Sequence, residues 1–278
     1  MTTTDATRTA WDKAAEGWNR HAPAIRGWLR PATAMMIDLA GVEPGQSVLD
    51  LAAGAGDQTL DLAARVGPTG HITATDISAT ILAFAADAAH AGGHRNVKTL
   101  TADIAHLPLA DARFDAATCR LGLMFLPDPL AGLRETLRTL KPGARLCAMV
   151  FAAPDLNPCL RILMATALRH AGLPPRDPFQ PGGLTSLGKP GHLETLFQQA
   201  GFRTTSTTRL DAPFNLPTTA DYLGFIQDAA GPILQILAPL PPEARAAAWA
   251  DITTQLDAFQ TAEGWSGPNT LLLTVGAR

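Results

Sequence analysis

Apolar positions recur in two rhythms along this chain, and the change of rhythm divides it into three parts. Between residues 46 and 151, short apolar runs alternate with stretches whose apolar positions repeat every three or four residues. The first kind reads as strands and the second as helices, and their alternation predicts a parallel sheet wrapped by helices. Strands are expected at Val48–Leu51, His71–Thr75, Val97–Thr101, Phe114–Cys119 and Arg145–Phe151, and helices at Gln58–Val66, Ala79–Ala91 and Pro129–Leu140. Gly92-Gly93 closes the second helix, Pro129 opens the third, and Lys141-Pro142-Gly143 turns the chain into the fifth strand. Residues 1–40 predict two helices bearing Trp11, Trp18, His21 and Trp28. Beyond Phe151 the alternation stops. A helix at Leu160–Ala171, a Pro/Gly-rich loop at Leu173–Gly191 and a helix at His192–Ala200 lead to a threonine-rich strand at Arg203–Leu210. Two helices, about 218–230 and 242–262, and a last strand at Thr270–Val275 complete the expectation.

Composition narrows the function. Apolar residues make up 46% of the 278 positions, enough for a real core. The net charge of −3 and the lack of a Lys/Arg cluster argue against nucleic acid as partner and favour a small molecule. No apolar stretch approaches the roughly 18 residues that would span a bilayer. Met1–Arg8 is polar and Thr-rich, unlike a secretory signal. Cys119, Cys147 and Cys159 show no C-x-x-C spacing and read as buried thiols in a reducing cytoplasm. His90 and His94 stand four apart, but Gly92-Gly93 interrupts their helix, so no metal site is expected.

The most informative run is Val48-Leu-Asp50-Leu-Ala52-Ala-Gly54-Ala-Gly56-Asp57-Gln-Thr59. It is a strand, a small-residue turn and a helix start, an arrangement that brings backbone close to a ligand. A dinucleotide site wants G-x-G-x-x-G with a pyrophosphate on the helix end. Here the third glycine is Thr59, and Asp57 puts a carboxylate where the pyrophosphate would sit. The ligand therefore lacks phosphates, which S-adenosylmethionine (SAM) satisfies. Asp76 ends the next strand 22 residues after Gly54, where an acid can accept both hydroxyls of a ribose.

Residues 46–151 resemble the core of class I SAM-dependent methyltransferases, and within that class the loop is similar to the ubiquinone/menaquinone C-methyltransferase group and related small-molecule methyltransferases. Thr73-Ala-Thr-Asp76-Ile77-Ser78, Ala102-Asp103-Ile104, Leu107-Pro-Leu109 with Phe114-Asp115, and Leu140-Lys-Pro-Gly143 carry the likeness further. Ala52 replaces the glycine with which the usual pattern begins, a change this group tolerates. The resemblance implies an α/β, Rossmann-like, seven-stranded and mostly parallel sheet of order 3-2-1-4-5-7-6, its last strand antiparallel, with helices on both faces. It also implies a helical lid over residues 1–40, a methyltransferase domain over 41–278 and a substrate-cap insertion at about 155–191.

The same resemblance suggests cofactor roles. Asp76 would hold the ribose, Ile77 and Ile104 the adenine faces, and Asp103 the adenine amino group, although Asp103 could equally cap a helix. Asp50 and Gly54 would face the methionine ammonium. Gly56, Ala52 and Leu121 would shape the loop. Asp57 either joins them or only caps its helix, and Arg120 either meets a carboxylate or forms a surface ion pair. Trp11, Trp18, Met124 and Phe125 are candidate acceptor walls, with Phe151 and Phe179 behind them, and His21 is a candidate general base. Core packing is the plainer reading of the tryptophans. The expected reaction is transfer of a methyl group to O, N or C of a small secondary metabolite or quinone-like aromatic, largely by positioning and desolvation, with S-adenosylhomocysteine as product. The alternatives are a SAM-binding protein with altered or lost methyl transfer, and a nicotinamide-dependent oxidoreductase. The expected partner is a small-molecule acceptor, without stable membrane insertion, and a homodimer is allowed.

Overall fold

The computed structural model describes residues 3–229 and 231–278. In chain order the elements are α1 (Thr3–Leu39), β1 (Ser47–Leu51), α2 (Asp57–Val66), β2 (His71–Asp76), α3 (Ala79–Ala91), β3 (Val97–Thr101), β4 (Phe114–Arg120), α4 (Pro129–Thr139) and β5 (Leu140–Phe151). Then follow α5 (Pro158–His170), α6 (His192–Ala200), β6 (Arg203–Asp211), β7 (Phe214–Leu216), α7 (Thr219–Ala229), α8 (Gly231–Leu237), α9 (Pro242–Leu256), β8 (Gln260–Thr261), β9 (Gly264–Gly267) and β10 (Thr270–Ala277).

Seven strands form one sheet in the order β3-β2-β1-β4-β5-β10-β6. Strands β1 to β5 pair in parallel, while β10 runs antiparallel to both β5 and β6. Counting only the strands of this sheet, the order is the expected 3-2-1-4-5-7-6. The central strands are nearly continuous apolar runs because helices cover both faces: Val48, Leu49, Leu146 and Val150 are fully buried. Local chemistry sets the helix starts. Ser78 Oγ accepts from Ile81 N at 3.1 Å at the head of α3, and Asp128 accepts from Ala131 N at 3.0 Å beside Pro129 at the head of α4.

The structure corrects the expectation at two places. Residues 3–39 form one helix, not two, although Pro23 and Pro31 lie inside it. Its second half is anchored by Ile25, Leu29, Ala32 and Met36, spaced at three and four residues, with Ile37 beside the last, all buried in the main core. That packing outweighs the local cost of the prolines. The second correction concerns the chain between β6 and β10. Among the described residues the helices here are α7, α8 and α9, and the expectation missed β7, β9 and β8, which form a separate three-stranded sheet. With α5 these elements enclose a second apolar core containing Leu163, Phe214, Tyr222, Ile233, Ile252 and Trp265. Trp265 is stacked on Tyr222 at 4.3 Å between ring centres, and its indole N–H reaches Leu256 O at 2.9 Å.

Candidate cofactor and acceptor site

The carboxyl ends of β1, β2 and β4 meet under α1. Ala52 and Leu121, which follow β1 and β4, both adopt left-handed backbone conformations (φ 51° and 55°). Two strained non-glycine residues on neighbouring strand ends mark a loop region shaped for something other than local stability. Gly56, at φ 88°, starts α2, and a Cβ there would lie 2.7 Å from the Ala85 backbone, so the loop and α3 touch through a residue that has to be glycine.

Asp76 is held in place by backbone. Its two carboxylate oxygens accept from Gly54 N and Ser78 N, each at 3.0 Å, which ties the glycine loop to the end of β2. Burial is the main cause that raises its pKa, and the nearby Asp12 carboxylate adds to it. Asp12 comes from α1 and accepts from Ser78 Oγ at 2.5 Å. Sequence reasoning passed over Asp12 because nothing in a helical pattern says which polar residue faces a neighbouring strand end.

Asp50 lies under the loop and is fully buried. It accepts from Thr59 Oγ1 at 2.6 Å, from Thr118 Oγ1 at 3.2 Å and from the Gln58 amide. Burial pushes its pKa up to about 7 against these hydrogen bonds and the charge of Arg120. Its oxygens are engaged by side chains of α2 and β4. Asp57 and Arg120 are paired with each other, both nearly buried, and Arg120 also donates to Thr33 on α1 at 3.0 Å. The surface ion pair anticipated for Arg120 is thus an interior one. Asp103 accepts from Ala105 N at 2.9 Å in a turn that bridges to His106, with no helix there for it to cap, and Ile104 is buried beside it while Ile77 is half-buried.

The first half of α1 crosses this region. Ala15 packs with Ala55 of the loop and Ile81 of α3, with Trp18 and Ala22 against them. Trp11 meets Trp18 at 5.8 Å and Phe125 edge-on at 5.1 Å, so three of the four expected wall residues are together. Met124 is buried beneath, and its carbonyl accepts from Ser186 Oγ at 2.7 Å, which docks the Pro/Gly-rich loop here. Phe179 is half-buried between exposed neighbours in that loop, and Phe151 stacks on Trp28. His21 Nε2 sits 2.9 Å from Asp228 Oδ2 on α7, an element whose contact with α1 no sequence signal announced. Open grooves of about 340 Å³ (Trp28, Pro31, Asp211, Asn215) and 170 Å³ (His71, Arg95, Lys98, Arg113) lie away from the loop.

A sheet of this order, with its antiparallel strand next to the edge and a glycine loop under a covering helix, defines the class I SAM-dependent methyltransferase fold. The sequence model of the ubiE/COQ5 methyltransferase family matches residues 27–165, half of the chain, and the chain belongs to that family. The ubiquinone/menaquinone biosynthesis C-methyltransferase UbiE of Ectopseudomonas mendocina (strain ymp) is 42% identical over 125 residues, covering 45% of this chain and 48% of its own length. The chain thus spans about half the length of the curated relatives it matches. Among solved structures, the YcgJ protein of Bacillus subtilis superposes with a TM-score of 0.59 at 21% identity, covering 90% of this chain and 98% of its own. The [4+2]-cyclase SpnF does so with a TM-score of 0.57 at 19% identity, covering 96% of each. These likenesses extend the fold beyond residue 165, through the second core.

Proposed function

We propose that this chain transfers a methyl group from SAM to a small-molecule acceptor in the cleft between the glycine loop and α1. The carrying observation is Asp76, fixed by the Gly54 and Ser78 amides at the end of β2 in contact with the loop. Bound there, SAM would supply an electrophilic methyl group.

The chain's own residues bind, orient and exclude water. Asp76 accepts the ribose hydroxyls, Ile77 and Ile104 enclose the adenine, and Asp103 takes its amino group. Ala52, Gly54, Gly56 and Leu121 keep Cβ atoms and strand ends clear of the ligand. Asp57 and Arg120 flank the amino-acid end of the cofactor: Arg120 offers a guanidinium to a carboxylate, and Asp57 a carboxylate to an ammonium. Asp50 acts from below, fixing Gln58 and Thr59 and with them the first turn of α2. Trp11, Trp18, Met124 and Phe125 form the acceptor wall, and closure by α1 removes water from it. The likeness to a ubiquinone/menaquinone biosynthesis C-methyltransferase supports a quinone-like aromatic acceptor. Among the described residues no helix is long and apolar enough to cross a membrane. We place the reaction in the cytoplasm.

The test is incubation with methyl-labelled SAM and a panel of quinols and phenols. Labelled product in step with released S-adenosylhomocysteine is expected. SAM binding without either, across the panel, would replace this reading with a cofactor-binding protein that does not methylate.

A further inference from the structure

Between α1 and α7 lies a group of side chains that cofactor binding does not use. Phe225 on α7 meets Trp18 edge-on at 6.0 Å and His21 edge-on at 5.4 Å. The same Trp18 packs against the cluster of Ala15, Ala55 and Ile81, so the group borders the glycine loop. Two features give it chemistry. The Trp18 Nε1–H is buried and has no hydrogen-bond partner. A buried indole donor left unpaired costs free energy, and a ligand oxygen would satisfy it. His21 Nε2 lies 2.9 Å from Asp228 Oδ2, and a carboxylate only accepts, so Nε2 carries a proton and Nδ1 is the basic nitrogen of the neutral ring. Arg20 reaches the same Asp228 oxygen at 2.7 Å from the solvent side. His21 and Arg20 together hold the Asp228 carboxyl below its usual range. Gly17 makes the arrangement possible: a Cβ there would fall 2.1 Å from Asp228 O, so α1 and α7 approach backbone to backbone.

Resting on the methyl-transfer reading above, we propose that this group is the polar half of the acceptor site and takes a hydroxylated aromatic whose oxygen accepts from Trp18 Nε1. His21 removes the hydroxyl proton, with Asp228 as its positioning residue. The acceptor O–H bond breaks with its electron pair left on oxygen, and the proton forms an N–H bond at His21 Nδ1. The imidazolium is balanced by the Asp228 carboxylate. His21 is partly exposed, so the proton can pass on to solvent. The phenolate left behind is the nucleophile, and burial against Trp11, Trp18 and Phe225 keeps it unsolvated and reactive.

The experiment uses the full chain loaded with S-adenosylhomocysteine and 4-nitrophenol as probe, whose phenolate absorbs in the visible. Calorimetry with S-adenosylhomocysteine alone comes first, so that failure of the cofactor reading is seen separately. With the cofactor bound, the probe is expected to bind and to ionise about one pH unit below its free midpoint. Asp228→Asn should abolish that shift while leaving S-adenosylhomocysteine affinity unchanged, and Trp18→Phe should weaken the probe about tenfold. A bound probe that titrates at its free midpoint, a shift that survives in Asp228→Asn, or no probe binding by cofactor-loaded protein would each overturn the proposal.

Discussion

The two halves of this site are built on opposite plans. On the cofactor side, the loop after β1, the end of β2 and the end of β4 are neighbours in one sheet, and backbone does most of the holding: Gly54 N and Ser78 N on Asp76, and positive φ at Ala52 and Leu121. On the proposed acceptor side, side chains of α1, the 121–125 turn and α7 meet across large sequence distances, as His21 and Asp228 do over 207 residues. The first plan fixes a constant ligand. The second leaves room for the acceptor to differ while the sheet does not change.

Substitutions separate the halves. Trp265→Ala removes the largest fully buried side chain of the second core, and a loss of about 3–5 kcal/mol in urea unfolding is expected. SAM affinity per folded molecule should stay near wild type, and a fall of more than tenfold would show that the halves are not separable. Gly56→Ala forces a Cβ against the Ala85 backbone at a positive φ, costing about 2–3 kcal/mol and most of the SAM affinity in calorimetry. Gly17→Ala should cost about 2–3 kcal/mol, because its Cβ meets the Asp228 backbone and α1 has to move off α7. Faster proteolysis within residues 5–22, with the sheet intact, is the expected result, and an unchanged cleavage rate would count against the packing described.

The smallest effect is a pH dependence. Burial raises the Asp50 carboxyl from 3.8 to about 7, so between those values the folded protein holds a proton that the unfolded chain has lost. The Asp50 contribution to stability is therefore fully present below the lower value and falls as pH rises through the window. Asp50→Asn lacks this term, so the mutant should gain stability relative to wild type between about pH 5 and about pH 7.5 in paired urea titrations. A difference independent of pH would mean that Asp50 is ionised in the fold.

The same contrast explains what could be read in the sequence. The five parallel strands and the cofactor loop were legible because their signals are local: apolar runs, a glycine turn, an acid at a strand end. Arg120 was legible as a candidate, but its partner was not, since pairing with Asp57 rather than with solvent depends on how β4 and α2 meet. Residues 1–40 read as two helices, yet Ile25, Leu29 and Met36 in the core hold α1 in one piece across Pro23 and Pro31. Strands of three, two and four residues, β7, β8 and β9, are too short for a period-two pattern to show. Asp228, Phe225 and Asp12 look like ordinary helical surface residues until the tertiary contacts are known.

The most direct test of the account is calorimetric titration of the full chain with SAM and with S-adenosylhomocysteine, for wild type and Asp76→Ala. Micromolar binding of both by the wild type, weakened at least a hundredfold in a mutant with unchanged circular dichroism, is the predicted result. Absence of binding in folded wild type, or equal binding by Asp76→Ala, would contradict the assignment of the loop and of the cleft built on it.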